Sequence, residues 1–334
     1  MRERSFAGRT VALPAALLLL TARAVLAQEL EPRAYSPAPI GTTFVLGGFG
    51  RSQGPILLDP SLDVDHVQGD LWIATTGIGH VFNLAGRQAR ALAVVPIARG
   101  TIAGDVGGQA QRQDLFGLSD PRFKLSIGLR GAPALRLEEF SRARPRAVVV
   151  GASVTVVPPW GQYQATQLVN LGYNRWAVKP ELGVSRQIGR WTFEGYAGVW
   201  FFHTNAAYYP GDARKEQDPV GAWQTHVAYA LPRRTWIAFN GTWFGGGQTR
   251  VDDVKNPDLQ RNSRLGATVS VPVSSRQSLK FVYSTGATTR RGSDFNTFNV
   301  TWQLTRLSRD RQPHQPPGPG PTAPAPQTLA TVGC

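Results

Sequence analysis

From Arg175 to Ser185 the chain alternates with a period of two. Trp176, Val178, Pro180, Leu182 and Val184 share one parity; Arg175, Ala177, Lys179, Glu181, Gly183 and Ser185 share the other. In an extended strand these sets fall on opposite faces. One face is apolar and ends in a tryptophan, whereas the other carries two cations, a carboxylate and small residues. A soluble sandwich rarely gathers charge on one face of an inner strand, but a membrane barrel alternates lipid-facing and lumen-facing side chains in this way. Similar segments recur along the chain, separated by Gly, Pro, Asp and Asn clusters, and helical periodicity is nearly absent. The pattern predicts strands at 42–51, 70–84, 87–99, 120–130, 146–158, 174–186, 190–203, 221–231, 234–247, 261–273, 276–288 and 293–304. Their even number suits a closed antiparallel transmembrane β-barrel of about 12 strands, an all-β fold.

Connection lengths support that reading. Short links fall at Ala85-Gly86, Gln187 to Gly189, Pro232-Arg233 and Ser274-Ser275, and long ones at 52–69, 100–119, 159–173, 204–220 and 248–260. Long extracellular loops opposite short periplasmic turns are what outer-membrane barrels show. The exception is 131–145, where 134–140 is expected to form a helical turn. On the face read as outward, Trp191, Trp236 and Trp302 mark periplasmic strand ends, while Trp176, Phe201, Trp223 and Phe244 mark the extracellular level. Trp223 to Leu231 spans eight residues, a rise of about 20 Å at a tilt of about 40°. Two aromatic levels at that separation form the girdles of a membrane barrel. On the opposite face Arg175, Lys179, Glu181, Glu194, Arg264 and Lys280 are expected to line the lumen. Charged rings there set ion selectivity; the alternative is a set of salt bridges among Lys179, Glu181, Glu194 and Arg264 that plugs the lumen.

The ends differ in composition. Residues 1–27 read as a secretory signal peptide: Arg2, Arg4 and Arg9 precede the apolar run Val11 to Leu20, and Val25-Leu26-Ala27 is a cleavage motif. The run is too short to span a bilayer. Residues 28–41 are assigned to an N-terminal periplasmic segment, 42–304 to the barrel and 305–334 to a disordered Pro-rich tail of unknown partner. A length of 334 residues fits two soluble domains or one barrel, and a lone Cys334 excludes an intramolecular disulfide framework. The net charge of +14 is scattered, with no basic helix or nucleic-acid motif, so lipid headgroups or solvated loops account for it better than nucleic acid.

Enzyme motifs are missing: there is no Gly-x-Ser-x-Gly, His-Glu-x-x-His, Walker or Gly-x-Gly-x-x-Gly pattern. His66, His80, His203, His226 and His314 lack metal-ligand spacing, and His80 and His226 are placed in or near the lumen. No catalytic residue, metal or cofactor is assigned. A lipid hydrolase assembled by the fold, or a soluble β-sandwich binding module, remains as an alternative class.

Several stretches carry a resemblance. Gly117-Leu118-Ser119-Asp120-Pro121, Gly161-Gln162-Tyr163, Asn170 to Trp176, Lys179 to Ser185, Glu216-Gln217-Asp218-Pro219, Arg264 to Thr268, and Tyr283-Ser284 with Thr288 to Gly292 resemble the Gram-negative outer-membrane "phenol degradation meta-pathway" (MetA-pathway) transporter-like family. The likeness runs from about Leu30 to Leu304. It implies a barrel of about twelve strands in the cell outer membrane that passes small, often aromatic, compounds. Lipid and a small-molecule solute would be its partners, and a porin-like protein with a plugged lumen is the runner-up. A chain ending beyond the last strand departs from the family's usual terminal strand.

Overall fold

The computed structural model describes residues 30–57, 64–106, 108–143, 147–167, 169–209 and 211–307. The expected signal peptide and the Pro-rich stretch from residue 308 lie outside the described residues.

The strands are β1 (Thr42–Leu57), β2 (Val64–Leu84), β3 (Arg87–Val106), β4 (Gln109–Leu118), β5 (Arg122–Arg130), β6 (Val148–Val157), β7 (Ala177–Ile188), β8 (Trp191–Phe202) and β9 (Asn205–Tyr208). They continue with β10 (Ala213–Gln217), β11 (Val220–Ala230), β12 (Trp236–Gly246), β13 (Thr249–Val251), β14 (Val254–Lys255), β15 (Gln260–Pro272), β16 (Gln277–Thr288), β17 (Gly292–Ser293) and β18 (Asn296–Leu307). Each long strand pairs antiparallel with the next, and β1 pairs with both β2 and β18, which closes a 12-strand barrel. Closure leaves none of the twelve ring strands at an edge, the only sheet solution that satisfies the backbone within hydrocarbon; β4 pairs with β3 alone and lies off the ring.

The fourth stave is split. β4 pairs with the far half of β3 and β5 with the near half, and Ser119-Asp120-Pro121 interrupts them. Pro121 has no N–H to give to a ladder. Pro180 has a related effect inside β7: register runs Val178↔Phe201, then resumes at Glu181↔Gly198.

One end carries tight links and α1 (Leu137–Arg142), in the connection where a helical turn was expected. At the link between β2 and β3, Ala85 and Gly86 both adopt positive φ, and Asn83 Oδ1 accepts the Gly86 N–H at 2.8 Å. That is the backbone a two-residue hairpin of right-twisted strands requires. At the other end β2 and β3 run well past their expected limits, so much of 52–69 and 100–119 is strand rather than loop. Within the longer connections there, β9, β10, β13 and β14 form a separate four-stranded sheet. β18 extends three residues beyond 304.

Outward-facing apolar side chains form a belt. Trp191 and Phe201 lie outward at the two ends of β8. Their ten-residue separation (201 − 191) corresponds to about 25 Å along the axis at a tilt of about 40°. Trp176, Trp223 and Trp302 also point outward. Trp236 and Phe244, expected in the girdles, do not. Both share the inward parity of β12 with Asn240 and Thr242: Phe244 is 4% exposed in an interior cluster, while Trp243 is 47% exposed outside. Trp236 is half-buried and packs under the Arg33 guanidinium at 5.5 Å.

Candidate functional site

Among the described residues, three layers fill the barrel lumen. The first, at the turn end, is the segment 30–41. Rather than a periplasmic extension, it enters the barrel. Ile40 and Gly41 donate to Leu135 and Val81 carbonyls, and the Ala38 N–H reaches Gln88 Oε1 at 2.7 Å. Arg90, inward on β3, holds the Ala34 and Ser36 carbonyls at 3.1 Å each, with its guanidinium 5.9 Å from the Phe44 ring. The Arg33 N–H donates to Glu194 Oε2 at 2.6 Å and the Ala34 N–H to the Tyr196 hydroxyl at 3.2 Å. A segment without regular structure survives here because barrel side chains satisfy its backbone.

Tyr35 is its anchor. The ring is buried against Ala132, Val149 and Tyr196, edge-on to the last at 5.1 Å. Gly151 and Gly183 leave the slot it occupies, because a Cβ on either would come within 2.2 Å of the ring. Its hydroxyl donates to Glu181 Oε1 at 3.0 Å and sits 3.0 Å from Ser153 Oγ. Burial, and the Glu181 carboxylate next to it, push the phenol pKa up, so Tyr35 remains the donor.

The second layer is a charged belt. Lys179 Nζ lies 2.9 Å from Glu181 Oε2, and Lys124 Nζ lies 3.5 Å from Glu181 Oε1 and 3.8 Å from Glu31 of the inserted segment. Gln224 Nε2 also approaches Glu181, and Lys179 caps the Trp200 ring at 5.2 Å. Around the wall His226 Nδ1 pairs with Asn240 Oδ1 at 2.8 Å, and Asn240 donates to Thr268. In a wide aqueous pore such side chains would be wet, yet Lys179 and His226 are 1% exposed and Glu181 4%. These groups are packed against one another rather than lining open water.

The third layer, toward the loop end, is apolar. Ile56, Val67, Leu71, Ile102, Leu115 and Phe295 turn inward and meet Val169 of the 158–176 connection. A neighbouring cluster joins Val157, Trp200, Val220, Phe244, Tyr173 and Phe202. Asp120, at the break in the fourth stave, pins that connection: its carboxylate accepts the Gly161 N–H at 2.7 Å and the Tyr173 N–H at 2.8 Å. Gln162 adds backbone bonds to Leu118 and Gly172, and Asn205 bonds the Tyr163 hydroxyl at 3.0 Å.

The six expected lumen residues therefore do not form one ring. Lys179 and Glu181 meet; Glu194 holds the inserted segment. Arg264 donates to the Phe295 carbonyl at 2.6 Å and to Ser284, higher in the barrel. Arg175 stacks on Phe202 at 4.5 Å and bonds Gln217 of β10. Lys280 is half-buried on the inward parity of β16, opposite Ser270, with no hydrogen bond or ion pair to another described residue. Lys124 and Arg90 were not singled out, although each alternates with apolar neighbours in its strand. His80 lies outside, with its ring on Thr43 at 2.8 Å, rather than in the lumen. Among the described residues no group of three His, Cys, Asp or Glu is arranged to hold a metal ion.

Comparison with known proteins matches residues 51–302 to the family described as "Putative MetA-pathway of phenol degradation". Among solved structures, an outer membrane channel from Pseudomonas putida F1 superimposes with a TM-score of 0.72 at 19% identity, covering 83% of this chain and 100% of that one. The CymD monoaromatic hydrocarbon channel matches at a TM-score of 0.41 and 7% identity over 81% of this chain and 90% of its own. The beta domain of the Bordetella autotransporter BrkA matches at 0.46 and 11% over 80% and 100%. No curated protein matches.

Proposed function

The chain belongs to the phenol-degradation MetA-pathway family, and from that premise we propose that it is a gated outer-membrane channel for passive movement of small apolar solutes, aromatic compounds among them. The observation that carries this reading is the apolar lining of the loop-side half, from Ile56 and Leu71 round to Trp200 and Phe244, which in this conformation is packed against Val169 and Tyr173 of the 158–176 connection. Water-filled porins have polar interiors; an apolar lining, once uncovered, favours solutes that shed their hydration. The outward apolar belt, with aromatic residues at two levels, faces outer-membrane lipid, and the long connections face outside the cell.

Beneath this apolar layer the charged belt and the inserted segment close the path. Passage requires the segment 30–41 to withdraw or shift, since it fills the turn-end lumen through Tyr35, Arg33 and Ala34, and the 158–176 connection to part from the apolar wall it covers. Excess inward cations, Lys124, Lys280, Arg264 and Arg90 among them, give the opened lumen a weak anion preference. No catalysis, cofactor or metal is part of this proposal.

The test is conductance in planar bilayers of the wild-type barrel and of a variant lacking residues 30–40. Rare, brief openings in the first and long-lived openings in the second are expected. A deletion variant that folds into bilayers and stays closed would reject the gate.

A further inference from the structure

Outside the barrel, near the loop end, strand register aligns Arg51, Trp72, Arg99 and Phe116 in one row across β1 to β4. All four point outward. The adjacent row toward the turn end is wholly apolar: Phe49, Ala74, Ile97 and Leu118. The row on the other side is polar and contains Asp70, Thr101 and Asp114. A line of alternating cations and aromatic rings thus sits on the boundary between the apolar belt and water.

Most of the charges here are already matched. Arg51 donates Nε and Nη2 to Asp70 at 2.8 and 2.7 Å and lies 5.0 Å over the Trp72 ring, which stacks on Phe49 at 5.3 Å. Asp114 accepts from Thr101 at 2.6 Å and from Arg112 at 3.0 Å. Arg99 is the exception. It is exposed, lies in register between Trp72 and Phe116, and makes no hydrogen bond or ion pair with another described residue. A surface recess of about 600 Å³ opens over it, bounded by Trp72, Phe116, Arg112 and Asp114.

We propose that this recess binds the phosphorylated headgroup of an acylated glycolipid of the outer leaflet. Arg99 is the primary phosphate ligand, with the exposed Arg112 beside it. Trp72 and Phe116 flank the headgroup, and the apolar row below them, with Ile97 at its centre, receives the acyl chains. Guanidinium groups suit phosphate because they present paired donors in a plane. Arg99 feels the Asp114 carboxylate across the recess without bonding to it, so its donors are free for a lipid phosphate, and interfacial cations are a recurrent mark of anionic-lipid recognition. Asp70 and Asp114 form the carboxylate rim, each occupied by an arginine. Free phosphate would satisfy only the cations, whereas a lipid uses both rows. The proposal rests on the outer-membrane reading.

The experiment uses the protein folded in detergent and titrated with bis-phosphorylated lipid A, with the same lipid after dephosphorylation, and with inorganic phosphate; bound lipid is counted by native mass spectrometry. Lipid A should bind at least about tenfold more tightly than its dephosphorylated form, and millimolar phosphate should not displace it. Arg99→Gln with Arg112→Gln should weaken binding about 30-fold, at about fivefold per interfacial cation, while Arg99→Lys, which keeps the charge but not the paired planar donors, should fall between wild type and Arg99→Gln. Equal binding of the two lipids, indifference to the double substitution, or displacement by phosphate alone overturns the proposal. Failure of the outer-membrane reading would appear separately, as a chain that neither shifts mobility on heating in detergent nor inserts into vesicles.

Discussion

Replacing Tyr35 with alanine removes the anchor of the inserted segment without touching the barrel wall. The ring is 6% exposed and fills the slot between Gly151, Gly183 and Tyr196, and its hydroxyl serves the buried Glu181. Truncating a buried aromatic side chain costs about 3–5 kcal/mol, and losing a hydrogen bond to a charged group accounts for part of that. Because the strands keep all their ladder bonds, the loss falls on insertion of 30–41, not on barrel folding. A shift of that size moves the inserted-to-released equilibrium by about two to three and a half orders of magnitude. Single-channel recording should then show a large rise in open time, and a protease added from the turn end should clip the segment in the variant and spare it in wild type. Gly183→Val should give the same phenotype from the opposite wall, since a Cβ there meets the Tyr35 ring. Unchanged open time and unchanged protection, in a barrel that still shifts mobility on heating, would refute the reasoning.

Four further outcomes follow from the same geometry. Leu182, outward and midway between Trp176 and Ile188, should cost about 2–4 kcal/mol when changed to Arg, read as urea unfolding in lipid vesicles; a negligible cost would move that strand off the lipid face. Glu181→Leu removes the carboxylate paired with the buried Lys179 and should lower stability by about 3–5 kcal/mol by the same assay; an unchanged midpoint would mean that the belt is hydrated. Lys280→Glu should shift the reversal potential of the plug-deleted channel toward cations, whereas Lys179→Glu should mainly destabilise it; the reverse order would contradict the pairing of Lys179 with Glu181. Asp120→Ala leaves the Gly161 and Tyr173 N–H groups without their acceptor, at about 1–3 kcal/mol each if they stay buried, and should expose the 158–176 connection to proteolysis; continued protection would remove Asp120 from its clamp role.

How much of this was legible in the chain depends on periodicity. β7 and β8 could be read directly, because Lys179, Glu181 and Glu194 contrast sharply with Val178, Leu182 and Phe193 in alternate positions. β12 could not be phased from its aromatic residues, since adjacent Trp243 and Phe244 give each face one; the polar pair Asn240 and Thr242 decides it. The extensions of β2 and β3 were obscured by the charged and glycine-rich residues that strands carry once they leave the apolar belt. The inserted segment has no period at all. Its only trace is the small residues Gly151 and Gly183 on neighbouring inward positions, and their meaning depends on a ring more than a hundred residues away in sequence. Asp120 and its partners Gly161 and Tyr173 stood out as short recognisable stretches, but their convergence is tertiary.

The central claim, that this barrel gives small apolar solutes a gated route across the outer membrane, is tested most directly by uptake. Initial rates of entry of a labelled monoaromatic compound should be compared in intact Gram-negative cells carrying no copy, the wild-type chain, or the variant lacking residues 30–40. The account predicts faster entry with wild type than without it, and the fastest entry with the deletion. Identical rates in all three, with each barrel verified as folded in the outer membrane, would contradict it.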